Sequence, residues 1–191
     1  MARPYDRTRR AAAAAETTAR IIDAAEAAIR EGAPGSLTLA TVAAKAGVTV
    51  QTVLRHFGSR DGCLVAVRAQ VVARIEAQRG RSAPGDVDGA LQDLVAHYEA
   101  EGELVLQLVA YASADPWALA AVRDGQAYHR AWVLRCFGPR LPSPPPDAAV
   151  DALVAATDLR VWQLLRLDLG RDPAEVAAVM RRLVHGVLEA P

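Results

Sequence analysis

Ile21, Ile22, Ala25 and Ile29 recur at helical spacing and predict a first helix over about Thr17 to Glu31, after which Gly32, Pro34 and Gly35 break the chain. The next run, Leu37 to Leu64, carries denser signals. Thr38 can cap a short helix, Leu39 to Ala46, because its hydroxyl can accept from an orphan backbone N–H in the first turn. Gly47 ends that helix, and Val48 beyond it can pack back on it. Thr49 caps a second short helix, Val50 to Phe57, which turns Val53 and Phe57 inward and leaves Val50, Gln51, Thr52, Arg55 and His56 near the surface. Ala43, Gly47 and Val53 stand in the relationship two helices crossing at about 90–120° require: a small side chain at the crossing, a turn, then an anchor. This is the pattern of a helix-turn-helix, whose outer face can enter a major groove. An ordinary helical hairpin within an all-α core is the other reading.

Beyond Asp61, Leu64, Val67, Val71, Val72 and Ile75 predict a helix of about twenty residues, ending before Gly80 and a loop through Gly85. Five more helices follow: about Val87 to Glu101, Glu103 to Ser113, Pro116 to Phe137, Asp147 to Leu169 and Pro173 to Ala190. Pro116 starts its helix at the favoured first position, and Asp172 with Glu175 forms a capping-box pattern for the last. The stretch Gly138 to Pro146 is rich in proline and predicts a rigid, exposed, polyproline-like connector. In the helix after it, Val150, Leu153, Val154, Leu159, Val161, Trp162, Leu164, Leu165, Leu167 and Leu169 cover most of the circumference. A helix apolar all round must be buried all round, so a second copy of the chain is the natural cover. The expected dimer interface is Val154, Val161, Trp162, Leu165, Val176, Met180, Leu183 and Val187, with a single thicker monomeric core as the alternative. Asp158, on the face shared with Val154, Val161 and Leu165, needs a partner there, either an arginine such as Arg182 or a polar group of a ligand.

Composition narrows the class. The apolar half of the chain is mostly Ala, Val and Leu, with few Phe and Ile, which favours helix over sheet. Net charge is zero, yet through Asp61 nine basic residues face six acidic ones, and the remainder has thirteen against sixteen. That asymmetry has the sign a DNA-reading N-terminus needs. Arg3, Arg7, Arg9 and Arg10 form a basic arm over residues 1–16, able to follow phosphates or a minor groove, or else a solvated tail whose alanines extend the next helix. Cys63 and Cys136 are too far apart in sequence for a metal-ligand pattern and read as buried small hydrophobes. No signal peptide or membrane-spanning stretch is evident, so the expected location is the cytoplasm.

The set Thr18-Ala-Arg20-Ile21-Ile22-Asp23-Ala24-Ala25, Leu37-Thr38, Val42-Ala43, Ala46-Gly47-Val48-Thr49, Thr52-Val53, His56-Phe57, Ser59-Arg60-Asp61 and Leu64 resembles the DNA-binding domain of the tetracycline-repressor (TetR) family. It covers about a quarter of the chain. Carried over by position, the resemblance implies that Thr38, Thr49, Thr52, His56 and Arg60 hold phosphates and that Val50, Gln51 and Arg55 face base edges. Lys45 is included with the DNA-binding residues. Gln suits adenine, Arg suits guanine, and Val50 can touch a thymine methyl. Leu54 replaces a tyrosine that commonly contacts phosphate in the family, and Ile29 stands where an aromatic usually closes the first helix.

The expected architecture is therefore all-α: a basic arm over 1–16, a three-helix helix-turn-helix domain over 17–62, and a helical ligand-binding and dimerisation domain over 63–191. The expected function is a homodimeric repressor, released from a palindromic double-stranded operator by a small, largely apolar effector. A regulator controlled by a protein partner is the alternative. The aromatic residues Tyr98, Tyr111, Trp117, Tyr128 and Trp132, with Asp158, are the candidate effector contacts, although such aromatics are more often core. His97 and Glu101 have metal-ligand spacing without a third ligand nearby, and the acidic cluster Glu99, Glu101 and Glu103 reads as a solvated junction. No nucleophile elbow, phosphate loop or zinc spacing accompanies His97, His129 and His185, so neither an enzyme nor a cofactor is expected.

Overall fold

The computed structural model describes residues 4–32 and 34–190, and every regular element among them is helical. The chain forms two compact units, Met1–Val72 and Ala73–Pro191, which divide inside one long helix.

In the first unit, α1 spans Pro4–Glu31. It starts well before Thr17 because the alanine run carries no breaker and alanine is the strongest helix former. Arg9 and Arg10 are thus exposed on a helix, and Arg3 lies outside the described residues. Helices α2 (Leu39–Ala46) and α3 (Val50–Phe57) have the predicted bounds and caps. Thr38 Oγ1 accepts from Thr41 N at 3.1 Å, and Thr49 Oγ1 accepts from Thr52 N at 3.2 Å. Gly47 adopts φ 65°, and the Gly47 and Val48 amides donate to the Ala44 and Ala43 carbonyls. Helix α4, Arg60–Arg79, contributes Cys63, Leu64, Val67 and Val71 to a core shared with Ile21, Ala25, Ile29, Val42 and Val53. Cys63 is buried with its thiol pushed up by desolvation, as a small hydrophobe would be.

The second unit begins in α4 and continues through α5 (Val87–Tyr111), α6 (Pro116–Phe137), α7 (Asp147–Ala156), α8 (Leu159–Gln163) and α9 (Pro173–Leu188). Two elements depart from the sequence expectation. Helix α5 is continuous where two helices were expected, because a Cβ on Gly102 would lie 2.6 Å from the Trp162 ring. The glycine is a seat for an aromatic ring, and the helix runs straight through it. Conversely, the single helix expected over Asp147–Leu169 breaks after Ala156. Buried Thr157 sends its hydroxyl back to the Leu153 carbonyl at 2.7 Å, and the Thr157 carbonyl accepts from Tyr98 Oη at 2.9 Å. Asp158 then caps α8, accepting from Arg160 N at 2.8 Å, and α8 ends in a π-helical turn, Leu164–Asp168.

The core of this unit gathers Leu91, Leu94, Trp132, Val133, Phe137, Val150, Leu153, Trp162, Val176 and Met180. The connector after α6 opens with a 3-10 turn, Gly138–Arg140, before its prolines. The capping box of α9 is closed on both sides, Glu175 N to Asp172 Oδ1 at 2.8 Å and Asp172 N to Glu175 Oε2 at 2.9 Å.

Candidate functional site

The outer surface of α3 follows from which of its residues the first unit buries. Val53 is fully enclosed and Phe57 and Leu54 are half-buried, with Thr52 and His56 half-buried beside them; exposed to solvent are Val50 in the first turn and, on the side opposite Val53, Gln51 and Arg55. These are a slender apolar residue, an amide and a guanidinium, the types that read base edges. At the N-terminus of α3 the Thr49 and Thr52 hydroxyls lie 2.9 Å apart, and the unfilled amides of the first turn add a site for a phosphate oxygen.

Several residues expected to contact DNA already have partners in the fold. Thr38 is exposed, but its hydroxyl serves Thr41. Lys45 is bound through Nζ to Glu31 at 2.7 Å on the surface. Arg60 donates from Nε to the Leu37 carbonyl at 2.9 Å and reaches Asp61 at 3.2 Å, which ties the start of α4 to the segment before α2.

His56 is held from behind by Thr18 of α1. The single hydroxyl hydrogen of Thr18 goes to the Ala14 carbonyl at 2.9 Å, so its oxygen accepts from His56 Nδ1, also at 2.9 Å. A neutral His56 therefore carries its proton on Nδ1 and presents Nε2 as an acceptor; only the imidazolium offers a second N–H to a phosphate. Gly62 was not singled out by the sequence pattern. A Cβ there would stand 2.0 Å from the Phe57 carbonyl oxygen, so the bare backbone of α4 seats the C-terminal end of α3. Its only sequence signal is a glycine in the first turn of a helix.

The candidate effector residues of the second unit divide. Tyr98 and Trp132 are buried and satisfied by backbone carbonyls, Tyr98 Oη on Thr157 and Trp132 Nε1 on Arg79 at 3.1 Å. Tyr111 is exposed, Trp117 and Tyr128 are half-buried, and Asp158 is an N-cap at a helix break rather than a carboxylate in an apolar face. It needs neither Arg182, which is exposed, nor a ligand to satisfy it. The acidic cluster is not a solvated junction: Glu99 pairs with Arg166 at 3.1 Å and accepts from Trp162 Nε1 at 2.8 Å, buried Glu101 pairs with Arg74 at 3.0 Å, and Glu103 is exposed, all on the continuous α5. No group of three metal-ligating side chains occurs among the described residues.

Around these aromatics lies a polar line. Arg79 Nη2 donates to His129 Nδ1 at 2.7 Å, since a guanidinium has only donors. His129 then holds its proton on Nε2 and gives it to Thr157 Oγ1 at 3.1 Å. Burial, reinforced by the Arg79 charge, pushes His129 down to about 4 and His97 down to about 3, so both rings are neutral near pH 7.

The apolar residues expected to face a second copy also separate. Trp162, Leu165, Val176 and Met180 are buried in this unit's own core, and Val154, Val161 and Val187 are half-buried against it. Only Leu183 of that set is open, at 45% exposure. The uncovered residues are its neighbour Val179 on α9, and Leu164, Leu167 and Leu169 in and after the π-turn. A five-residue periodicity rotates these leucines out of the register that a continuous α-helix would give them.

Residues 21–67 match the family model for bacterial regulatory proteins of the tetR family. No curated protein sequence matches the chain. Among solved structures it is similar to Salmonella enterica GusR, with 19% identity, a TM-score of 0.71, and 92% of this chain aligned to 96% of that one. A structure from Mesorhizobium loti described as a TetR-family transcriptional regulator aligns over 92% and 96% of the two chains at 20% identity and a TM-score of 0.64. The multidrug binding protein EbrR, complexed with imidazole, aligns over 88% and 89% at 25% identity and a TM-score of 0.58.

Proposed function

We infer that the chain, whose residues 21–67 match the family model for bacterial regulatory proteins of the tetR family, is a homodimeric repressor released from a two-fold operator by a small molecule. The observation that carries the reading is the capped, glycine-turned pair α2–α3, with Gln51 and Arg55 displayed on one outer face and Val50 exposed in the first turn. One such face makes too few base contacts for a selective regulator, and two related by a dyad can meet successive major grooves about 34–36 Å apart. The open apolar residues of α9 and the π-turn supply the face on which a second copy would pack. The likeness to EbrR, whose structure holds imidazole, supports a small molecule as the effector. The second unit would receive it, and α4, continuous from one unit to the other, would carry the change.

An effector releases the operator only by its differential affinity for the two states of the dimer. Selection of bound sequences from a random DNA pool, followed by fluorescence anisotropy on the selected duplex, tests the reading. A palindromic site is expected, bound roughly 10³-fold or more above bulk DNA at physiological salt. Absence of any preference above bulk DNA would refute it.

A further inference from the structure

Arg79 is 3% exposed, and no carboxylate among the described residues pairs with it. Of its donors, Nη2 is used by His129, while Nε–H is enclosed and meets no acceptor. The rings of Trp132 and Tyr128 stand over the guanidinium, 4.2 and 5.2 Å from its carbon. Both rings are carried by α6, and the enclosed donor left without an acceptor is the in-plane Nε–H. His97, also 3% exposed, leaves Nδ1 without a partner and lies within electrostatic range of both Arg79 and His129. Burying an unpaired cation is costly, and leaving one of its donors without an acceptor adds to that cost.

We propose that Arg79 is the anchor of an anion site in the second unit, and that its occupant is a small organic carboxylate whose apolar body packs against the Trp132 and Tyr128 side. A carboxylate matches the planar fork of a guanidinium and would neutralise the buried charge. The proposal rests on the reading of this unit as the effector-binding one, and it replaces a largely apolar effector with an amphipathic acid. The same site is joined to the backbone at the break between α7 and α8, because the bond sequence Arg79–His129–Thr157 ends on the Leu153 carbonyl.

The test compares benzoate with benzamide and octanoate with octanamide on the full-length protein, by calorimetric titration and thermal unfolding. At least one carboxylate is expected to bind tenfold or more tighter than its amide and to raise the unfolding midpoint by about 3–5 °C at saturation. Arg79→Met should lose that preference while unfolding, without additive, at or above the wild-type temperature, since it removes an unpaired buried charge. Equal binding of acid and amide, or no response to either acid, overturns the carboxylate site; the wild-type comparison decides this even if the variant fails to fold. A neutral compound that releases the selected operator equally well from wild type and Arg79→Met also overturns it and leaves the effector reading standing. Failure of every compound in a broad operator-release screen removes the effector reading itself.

Discussion

Gly62→Ala isolates the seating of α3 on α4. In an exposed helix interior, replacing glycine by alanine stabilises by up to about 1 kcal/mol. At position 62 the added methyl would lie 2.0 Å from the Phe57 carbonyl oxygen and 3.0 Å from its carbon. Both are backbone atoms, so no rotamer change relieves the contact. The end of α3 must retreat by about 1 Å, an overpacking that costs about 1–3 kcal/mol and here belongs at the upper end. After subtracting the helix-propensity gain, a net loss of about 2 kcal/mol is expected, which for a chain of this size lowers the midpoint by about 4–8 °C. Gly125→Ala is the control: it lies inside α6 with nothing within 4 Å of its Cβ, and it should raise stability slightly. Circular dichroism melts of both variants beside wild type give the comparison, and anisotropy on the selected operator should show at least tenfold weaker binding for Gly62→Ala. If Gly62→Ala melts at or above the wild-type temperature, the inferred packing of α3 on α4 is wrong.

Three further outcomes follow from the same geometry. Arg55→Ala should cost about 1–3 kcal/mol of operator binding and relax selectivity at one base position, with thermal stability unchanged; equal discrimination in the selection experiment would move the reading face elsewhere. Acidification should destabilise the second unit. His97 and His129 have folded-state values depressed to about 3 and 4 from an unfolded 6.5, so the unfolded chain binds more protons below about pH 6.5, and stability falls from there until the folded values are passed. The loss is of the order of several kcal/mol, read by urea unfolding at pH 7, 6 and 5, and a flat profile would contradict the buried neutral imidazoles. Leu183→Glu, placing a charge on the open apolar face of α9, should leave the protomer folded and shift the proposed dimer to monomer in analytical ultracentrifugation; an unchanged dimer would put the interface on another surface.

How much of this was legible from residue order depends on the range of the interactions involved. Caps, the turn and the capping box were readable because each is a contract between residues three or four apart: Thr38 with Thr41, Thr49 with Thr52, Asp172 with Glu175. The junction at Gly102 was misread because glycine interrupts a helix pattern locally, while its use here depends on Trp162 sixty residues later. The break at Thr157 was missed for a related reason. Its backbone carbonyl is claimed by Tyr98 and its hydroxyl by His129, and neither partner lies on the same helix.

The division of apolar residues between core and open face shows the same limit. Hydrophobicity alone said that the region around Trp162 must be buried all round, but the π-turn decides which leucines turn outward, and α5 and α9 decide which residues their own unit already covers. Residue order by itself determined an all-helical chain and the bounds and caps of α2 and α3, because helix formation and capping are local. Only the tertiary structure decided that Thr18 orients His56, that Gly62 seats α3, and that Arg79 lies buried with no counter-ion among the described residues. Each of these is set by what packs against a side chain from a distant part of the chain.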